Sequence, residues 1–301
     1  MRKWLSYGFV FSLVCFILMQ GCISKDEDCE SLRNIFFSAT VDEIPSVTKS
    51  TLSYPADFPF RVWGYKLPSE KNWTRQTADA LPVFDDIQTR YHNGFWHTPQ
   101  LHLWPESEYK KNFFAFAPSA SDATFSFDKG IEFEGFSIKD NIDFLYADPI
   151  VDMSKPVMDS PVQLIFRSPL CNVAFEAYAV STDNITITIT GLVLENLRTE
   201  GHFMQYVSPY WFDLDGKEEN RIFSGELKLS GKSSFVAETM IIPQRLFPVL
   251  YYKYHVDGTY SDIERVVMLD TAEIPLPQHG GMTVYTIKVT PYNVEILNPG
   301  K

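Results

Sequence analysis

Ile185-Thr186-Ile187-Thr188-Ile189-Thr190 decides the class of fold. Isoleucine and threonine alternate without error, and successive side chains of an extended chain point to opposite faces, so one face is apolar and the other carries hydroxyls. Such a strand packs on one side and meets water on the other, as strands of antiparallel sheets do; strands covered on both sides read as continuous apolar runs. Downstream, 222–229, 235–242, 249–256, 283–289 and 294–297 read as further short strands, and so do 162–166 and 172–175 upstream. Nearer the N-terminus the same texture covers 34–41, 58–65, 101–105, 112–117, 125–127 and 142–147. Within 34–41, Ile35, Phe37 and Ala39 alternate with Phe36, Ser38 and Thr40. Asn93-Gly94, between Thr89-Arg90-Tyr91-His92 and Phe95-Trp96-His97, tolerates the positive φ of a type I′ hairpin turn, and Asp257-Gly258 gives a second hairpin signal. No window holds a sustained helical period, so helix is expected to be minor and the chain to be all-β, built from antiparallel sandwiches.

Composition agrees with short strands and turns: aromatics make up 15% and there are 19 prolines. A chain of 301 residues can bury a full core and is long enough for two domains. Asp159-Ser160-Pro161 is the preferred junction, which divides the strands into 34–160 and 161–301, with an alternative break near 205. The net charge of −12, without any basic stripe, argues against nucleic acid and against peripheral binding to anionic lipid.

The first residues have the anatomy of an export signal. Arg2 and Lys3 precede an almost uncharged apolar run from Trp4 to Met19, and Gly21-Cys22 follows at once. The run is slightly short for a permanent span, which needs roughly 20 apolar residues with suitable flanks. Leu18-Met19-Gln20-Gly21-Cys22 resembles the lipobox of bacterial lipoproteins, in which the chain is cut before the cysteine and its thiol carries a diacylglycerol. Residues 1–21 are then a signal peptide and Cys22 is the lipid attachment site, where three acyl chains hold far more firmly than one. Losing Arg2 and Lys3 with the signal takes the charge from −12 to −14. Residues 22–33 form an acidic tether whose Lys25-Asp26-Glu27-Asp28 resembles the lysine-then-acidic signal that sends lipoproteins of some Gram-negative anaerobes to the outer face of the outer membrane. Of four cysteines, Cys15 leaves with the signal and Cys22 is acylated; Cys29 and Cys171 remain for a disulfide, although Cys171 reads equally well as a buried small apolar residue.

No catalytic constellation is present. The sequence lacks a Gly-x-Ser-x-Gly elbow, a His-Glu-x-x-His pair and a phosphate loop, so no enzyme, cofactor or metal is expected. His97 and His102 are separated by Pro99 and read as ordinary histidines. Asp85-Asp86, Asp140 with Asp143, and Glu218-Glu219 read as solvated turns. Asp213-Leu214-Asp215-Gly216 could open a calcium loop, yet the position that should supply the last glutamate is Ser224, so a plain turn is expected. Trp63, Trp73, Trp96, Trp104 and Trp211 could stack on sugars, although Trp63 and Trp104 lie inside strand-like runs and read as core. Asp270-Thr271-Ala272 resembles a short O-glycosylation acceptor of the same bacteria.

Several separated stretches resemble one family, the fimbrillins, FimA-like and Mfa-like fimbrial subunits of Gram-negative anaerobes. They are Val62-Trp63-Gly64-Tyr65, Trp96 to Trp104-Pro105, Asn112-Phe113-Phe114-Ala115-Phe116-Ala117-Pro118, Asp143-Phe144-Leu145-Tyr146-Ala147, Val162-Gln163-Leu164-Ile165-Phe166, Thr199-Glu200-Gly201-His202-Phe203 and Ile241-Ile242-Pro243-Gln244. The resemblance implies two tandem transthyretin-like antiparallel β-sandwiches and a non-enzymatic surface lipoprotein that becomes a pilus subunit by strand exchange and contributes to adhesion. In such relatives a protease cuts the loop after the first strand, that strand leaves, and a terminal strand of the next subunit fills the groove. Here the removable strand is 34–41 and the cut falls in 42–57, where Lys49 is the only basic residue and no arginine occurs. The donor strand is expected from 285–297, and the short Asn-Pro-Gly-Lys tail leaves room for a tip, anchor or accessory role. The implied partners are other fimbrial subunits, the outer membrane through the lipid, and a host or bacterial surface ligand; the implied location is the outer membrane and, after processing, the fimbrium. The alternative reading is a surface lipoprotein that binds glycan and never polymerises.

Overall fold

Asn112-Phe113-Phe114-Ala115-Phe116-Ala117 carries apolar groups on both faces, and the fold covers both. The structure is a computed structural model that describes residues 34–42, 54–76, 79–104, 108–140, 144–156, 159–181, 183–208, 210–271, 274, 276–277 and 280–297. In chain order the first strands are β1 (Phe36–Asp42), β2 (Arg61–Pro68), β3 (Leu81–Gln88), β4 (Arg90–His92), β5 (Phe95–His97), β6 (Tyr109–Ala117), β7 (Thr124–Ser126), β8 (Gly130–Ser137), β9 (Leu145–Ala147), β10 (Ile150–Met153) and β11 (Val162–Arg167). There follow β12 (Cys171–Ala179), β13 (Ile185–Leu197), β14 (Glu200–Met204), β15 (Trp211–Asp215), β16 (Glu218–Lys228), β17 (Ser234–Ile241), β18 (Pro248–Val256), β19 (Ile263–Met268), β20 (Met282–Val289) and β21 (Val294–Leu297). Among the described residues the one helical piece is a 3-10 turn, Ile138–Asp140. The all-β class is as expected.

A nine-stranded sheet runs β3-β2-β6-β9-β11-β1-β5-β4, with β10 alongside β6. Its ends fold over one another, since Phe37 of β1 meets Phe84 of β3 and Phe113 of β6 edge-on. That closure encloses a first core containing Ile35, Phe37, Phe60, Val62, Phe84, Trp96, Phe113 and Phe166. On the opposite face of β2 and β6, Trp63, Tyr65, Phe114 and Phe116 pack against Ile131, Phe133, Phe136, Phe203 and Trp211 of a second sheet, β15-β14-β8-β7. Odd and even residues of β2 and β6 therefore serve different cores, which is why both strands read as unbroken apolar runs. The third core lies between the sheets β17-β12-β20-β21 and β16-β13-β18-β19.

Within β13 the alternation behaves as its sequence demands, with Ile187 and Ile189 in the core and Thr188 and Thr190 half-buried. The phase then shifts. A bulge between Ile189 and Gly191 brings Leu192 and Leu194 inward, and positive φ at Asn196 precedes the return of Leu197. Asn93 and Gly94 both have positive φ, at 50° and 87°, and join β4 to β5 as the two-residue turn requires.

Several expectations are corrected. Residues 101–105 contribute only an isolated bridge between Leu103 and Asn34, and 105 lies outside the described residues. Asp257-Gly258 opens a six-residue link, 257–262, and β19 follows it where no strand was expected. Asp85 and Asp86 lie on edge strand β3, not in a solvated turn: Asp85 accepts the Tyr65 hydroxyl and Asp86 pairs with Arg61. Pairing is mainly antiparallel, but β1 with β11 and β12 with β20 are parallel. Val162–Arg167 closes the first core beside β1, whereas the third core begins at Cys171, and β14 returns to pair with β8, with β15 on its other side.

Two features of these cores have measurable consequences. A β-carbon on Gly64 would lie 2.4–2.8 Å from three ring atoms of buried Phe84, so Gly64→Ala is expected to lower stability by about 1–3 kcal/mol, read from the urea midpoint. Lys111 is 1% exposed, and burial together with neighbouring Lys66 pushes its amine down to about 7. Between that pH and the ordinary lysine range the unfolded chain binds a proton that the folded chain does not, so stability rises with pH across this window. Lys111→Met is expected to flatten the rise and to stabilise the protein most below pH 7; unchanged melting curves from pH 6 to 10 would refute the assignment.

Candidate functional site

The strand expected to be removable lies inside the nine-stranded sheet. β1 runs parallel to β11 from Phe37 opposite Val162 to Asp42 opposite Arg167, and on its other side Phe36 and Phe37 pair antiparallel with His97 and Trp96 of β5. Just before it, the Ile35 N–H donates to the His102 carbonyl at 2.7 Å. Among the described residues, β1 from Ser38 onward has a ladder partner only on the β11 side.

Alternation places Ile35 and Phe37 fully in the first core, with Ala39 and Val41 half-buried against it. Phe37 is 0% exposed and stands nearly perpendicular to three rings, Phe60, Phe84 and Phe113, at centroid distances of 6.2, 6.3 and 5.6 Å. On the outer face, Phe36 meets Phe95 edge-on and stacks on His97. Which of these residues face inward and which outward follows from sequence spacing, because residues two apart on a strand share a face.

The far end of β1 is held by charge. Arg167 binds Asp148 through Nε at 2.8 and 2.9 Å and also pairs with Asp42, the last residue of β1; the bond to Asp148 raises its already high pKa. All three side chains are substantially exposed, so the clasp is worth little in water-screened energy and acts mainly on position. The chain re-enters at Tyr54, whose ring lies 4.9 Å from Phe166 and whose hydroxyl donates to the Phe58 carbonyl at 2.8 Å. Burial holds that phenol well above its usual range. Asp42 and Tyr54 thus both lie beside the same end of β11.

Other singled-out residues are scattered or structural. Cys22, Lys25, Asp26, Glu27, Asp28, Cys29 and Lys49 lie outside the described residues, as does Asp143. Cys171 opens β12, fully buried, with its Sγ 3.5 Å from the Ile241 carbonyl; burial pushes its thiol up to about 12. Trp63, Trp96, Trp104 and Trp211 are core residues and Trp73 is half-buried, so they offer no exposed sugar platform. Asp213 and Asp215 are exposed, and Gly216, with φ 71°, makes the turn to β16. His97 stacks on Phe36, whereas the His102 ring lies on Phe84, with its Nε2 buried and unbonded. Among the described residues, one set of potential metal ligands converges: Glu132, Glu134 and His202, whose ligand atoms lie within 4.8 Å of one another. Glu132 Oε1 is already shared by Lys129 Nζ at 3.0 Å and His202 Nε2 at 2.8 Å, which accounts for the cluster as a surface polar network.

Sequence reasoning missed Arg167, Asp148 and the aromatic seat of Phe37, all of which depend on pairings between strands far apart in the chain. The comparisons with known proteins bear on this geometry. A fimbrial protein from Bacteroides vulgatus superposes with a TM-score of 0.59 at 17% identity, over 88% of this chain and 98% of that one, and so shares its fold. A candidate cell adhesion protein from Bacteroides ovatus covers 89% of this chain and 96% of its own at 15% identity, with a TM-score of 0.45. No curated protein sequence matches. The fimbrillin-like family model matches residues 61–299, nearly the whole span of the three cores, and the chain therefore belongs to the fimbrillin-like family.

Proposed function

We propose that the protein is a non-enzymatic surface lipoprotein and fimbrial subunit, joined to other subunits by β-strand exchange and contributing to adhesion. One observation carries the reading: β1 is an inner strand with a fully buried phenylalanine, yet it connects to the rest of the chain through 43–53, beyond which Tyr54 is separately anchored. A cut in that segment, for which Lys49 is the candidate residue, severs the covalent link between β1 and the remainder. Removing β1 bares the β11 edge and the seat of Phe37, an apolar trough flanked by unpaired N–H and C=O groups. An incoming extended strand restores both.

The fimbrial relatives and family membership support the subunit role and a place at the cell surface. The lipid belongs to the same reading. A diacylglyceryl group on Cys22 anchors the chain through β1, and Lys25, Asp26, Glu27 and Asp28 direct it to the outer face of the outer membrane. Cutting at Lys49 then releases the remainder from the anchor and opens its groove in one step. The partners are other fimbrial subunits, the membrane before processing, and a host or bacterial surface ligand.

In cells making fimbriae, the sheared fimbrial fraction is expected to contain this chain with Ser50 as its new N-terminus, and Lys49→Gln should leave it uncut in the membrane. Mass spectrometry of both fractions decides the matter: a cut chain that stays monomeric, or an uncut one that enters fimbriae equally well, defeats the proposal. Cys22→Ala is expected to abolish labelled palmitate uptake and membrane partitioning; a variant that keeps both removes the anchor.

A further inference from the structure

We infer that the seat of Phe37 selects the incoming strand, and that this strand presents phenylalanine and comes from a different subunit, not from the C-terminal strands of a second copy of this chain. The inference rests on the strand-exchange reading. Phe37 is enclosed by Phe60, Phe84 and Phe113, each presented nearly at right angles to it, so the three rings bordering the seat offer only carbon and C–H. A shorter aliphatic group leaves part of the seat empty, and a tyrosine carries a hydroxyl into a site where these rings provide no hydrogen-bond partner.

The chain itself repeats this requirement. β12 stands to the third core as β1 stands to the first: it is parallel to β20 on one side and antiparallel to β17 on the other, as β1 is to β11 and β5. Its inward residues are Cys171, Val173, Phe175, Ala177 and Ala179, and those of the β1 region are Ile35, Phe37, Ala39 and Val41. In each series an aliphatic residue is followed by phenylalanine and then alanine. Phe175 is likewise fully buried.

The C-terminal strands do not meet this pattern. Beyond Phe247 the sequence contains no phenylalanine or tryptophan. β20 turns Tyr285, Ile287 and Val289 inward, and the run through β21 offers Tyr292, Val294 and Ile296 at the same spacing. Matching ring to ring puts tyrosine in the seat of Phe37, and a shift of two residues puts isoleucine or valine there and leaves part of it empty; an apolar pocket discriminates against an added hydroxyl by up to about 100-fold. The strand that fits is therefore an extended segment in which an aliphatic residue, phenylalanine and a small residue occupy alternate positions, supplied by another protein.

The test uses the full mature chain carrying an engineered protease site within 43–53, cut so that β1 is held without a covalent link. Labelled peptides are added in excess and their retention by the protein is measured. A 34–42 peptide is expected to exchange in. Its Phe37→Ala form should bind a hundredfold or more weakly, its Phe37→Tyr form roughly ten- to a hundredfold more weakly, and a 281–297 peptide should not compete. Equal retention of the tyrosine form, its hydroxyl then meeting His102 Nε2, or effective competition by 281–297, overturns the inference while leaving strand exchange standing. If the 34–42 peptide itself fails to re-enter, strand exchange and the inference fall together.

Discussion

Phe37 sits where strands from distant parts of the chain must agree. Its three ring partners come from β3, from β6 and from the segment leading into β2, so β1 joins both ends of the nine-stranded sheet to the first core. Fully burying one phenylalanine is worth about 1.5–3 kcal/mol, and each edge-to-face pair adds about 0.5–1.5 kcal/mol. Those figures exceed anything the exposed Arg167 clasp contributes. Apolar fit thus holds β1 in place, and the charges at Asp42 and Asp148 set where it ends.

Around β1 the rest of the chain is fixed at several junctions. β2 and β6 form a wall shared by two cores, and Leu170 and Ile242 of the second core adjoin in sequence Cys171 and Ile241 of the third. Buried amides stitch the same junctions. Gln205 accepts the Ile131 N–H and donates to the Ala147 carbonyl, while Gln244 exchanges hydrogen bonds with both backbone groups of Arg198 at 2.7 Å. The Trp211 indole donates to the Pro169 carbonyl at 2.8 Å. Each of these groups would be costly to leave unpaired, so together they fix how the sheets meet.

Local periodicity was readable wherever one face of a strand is buried, as in Ile185 to Thr190, or where turn chemistry is strict, as at Asn93-Gly94. It failed where burial does not alternate. β19 is an outer strand with Ile263, Val266 and Met268 exposed, so its sequence carries no period, and β8 is interrupted by positive-φ glycines at 130 and 135. β3 hid behind Pro82 and its adjacent acids, which an edge strand tolerates. Of the candidate site, the inward series Ile35, Phe37 and Ala39 was legible as one face of a strand. Its partners were not, because parallel pairing of β1 with β11 joins residues more than 120 positions apart, and nothing in either stretch names the other.

The likeness of β1 to β12 also shows why one of them is the replaceable strand on the proposed mechanism. β17 runs beside β12 from Cys171 to Ala177 and β20 accompanies it from Asn172 to Ala179, so both edges are occupied along nearly the whole strand. β5 accompanies β1 only at Phe36 and Phe37, so among the described residues Ser38 onward is held from one side. The inward apolar code is nearly the same, and so is the parallel neighbour. What differs is the second ladder. A strand with a strong apolar register but an incomplete second edge keeps its place by side-chain fit and gives it up at low hydrogen-bonding cost, the combination that exchange for a better-fitting strand requires.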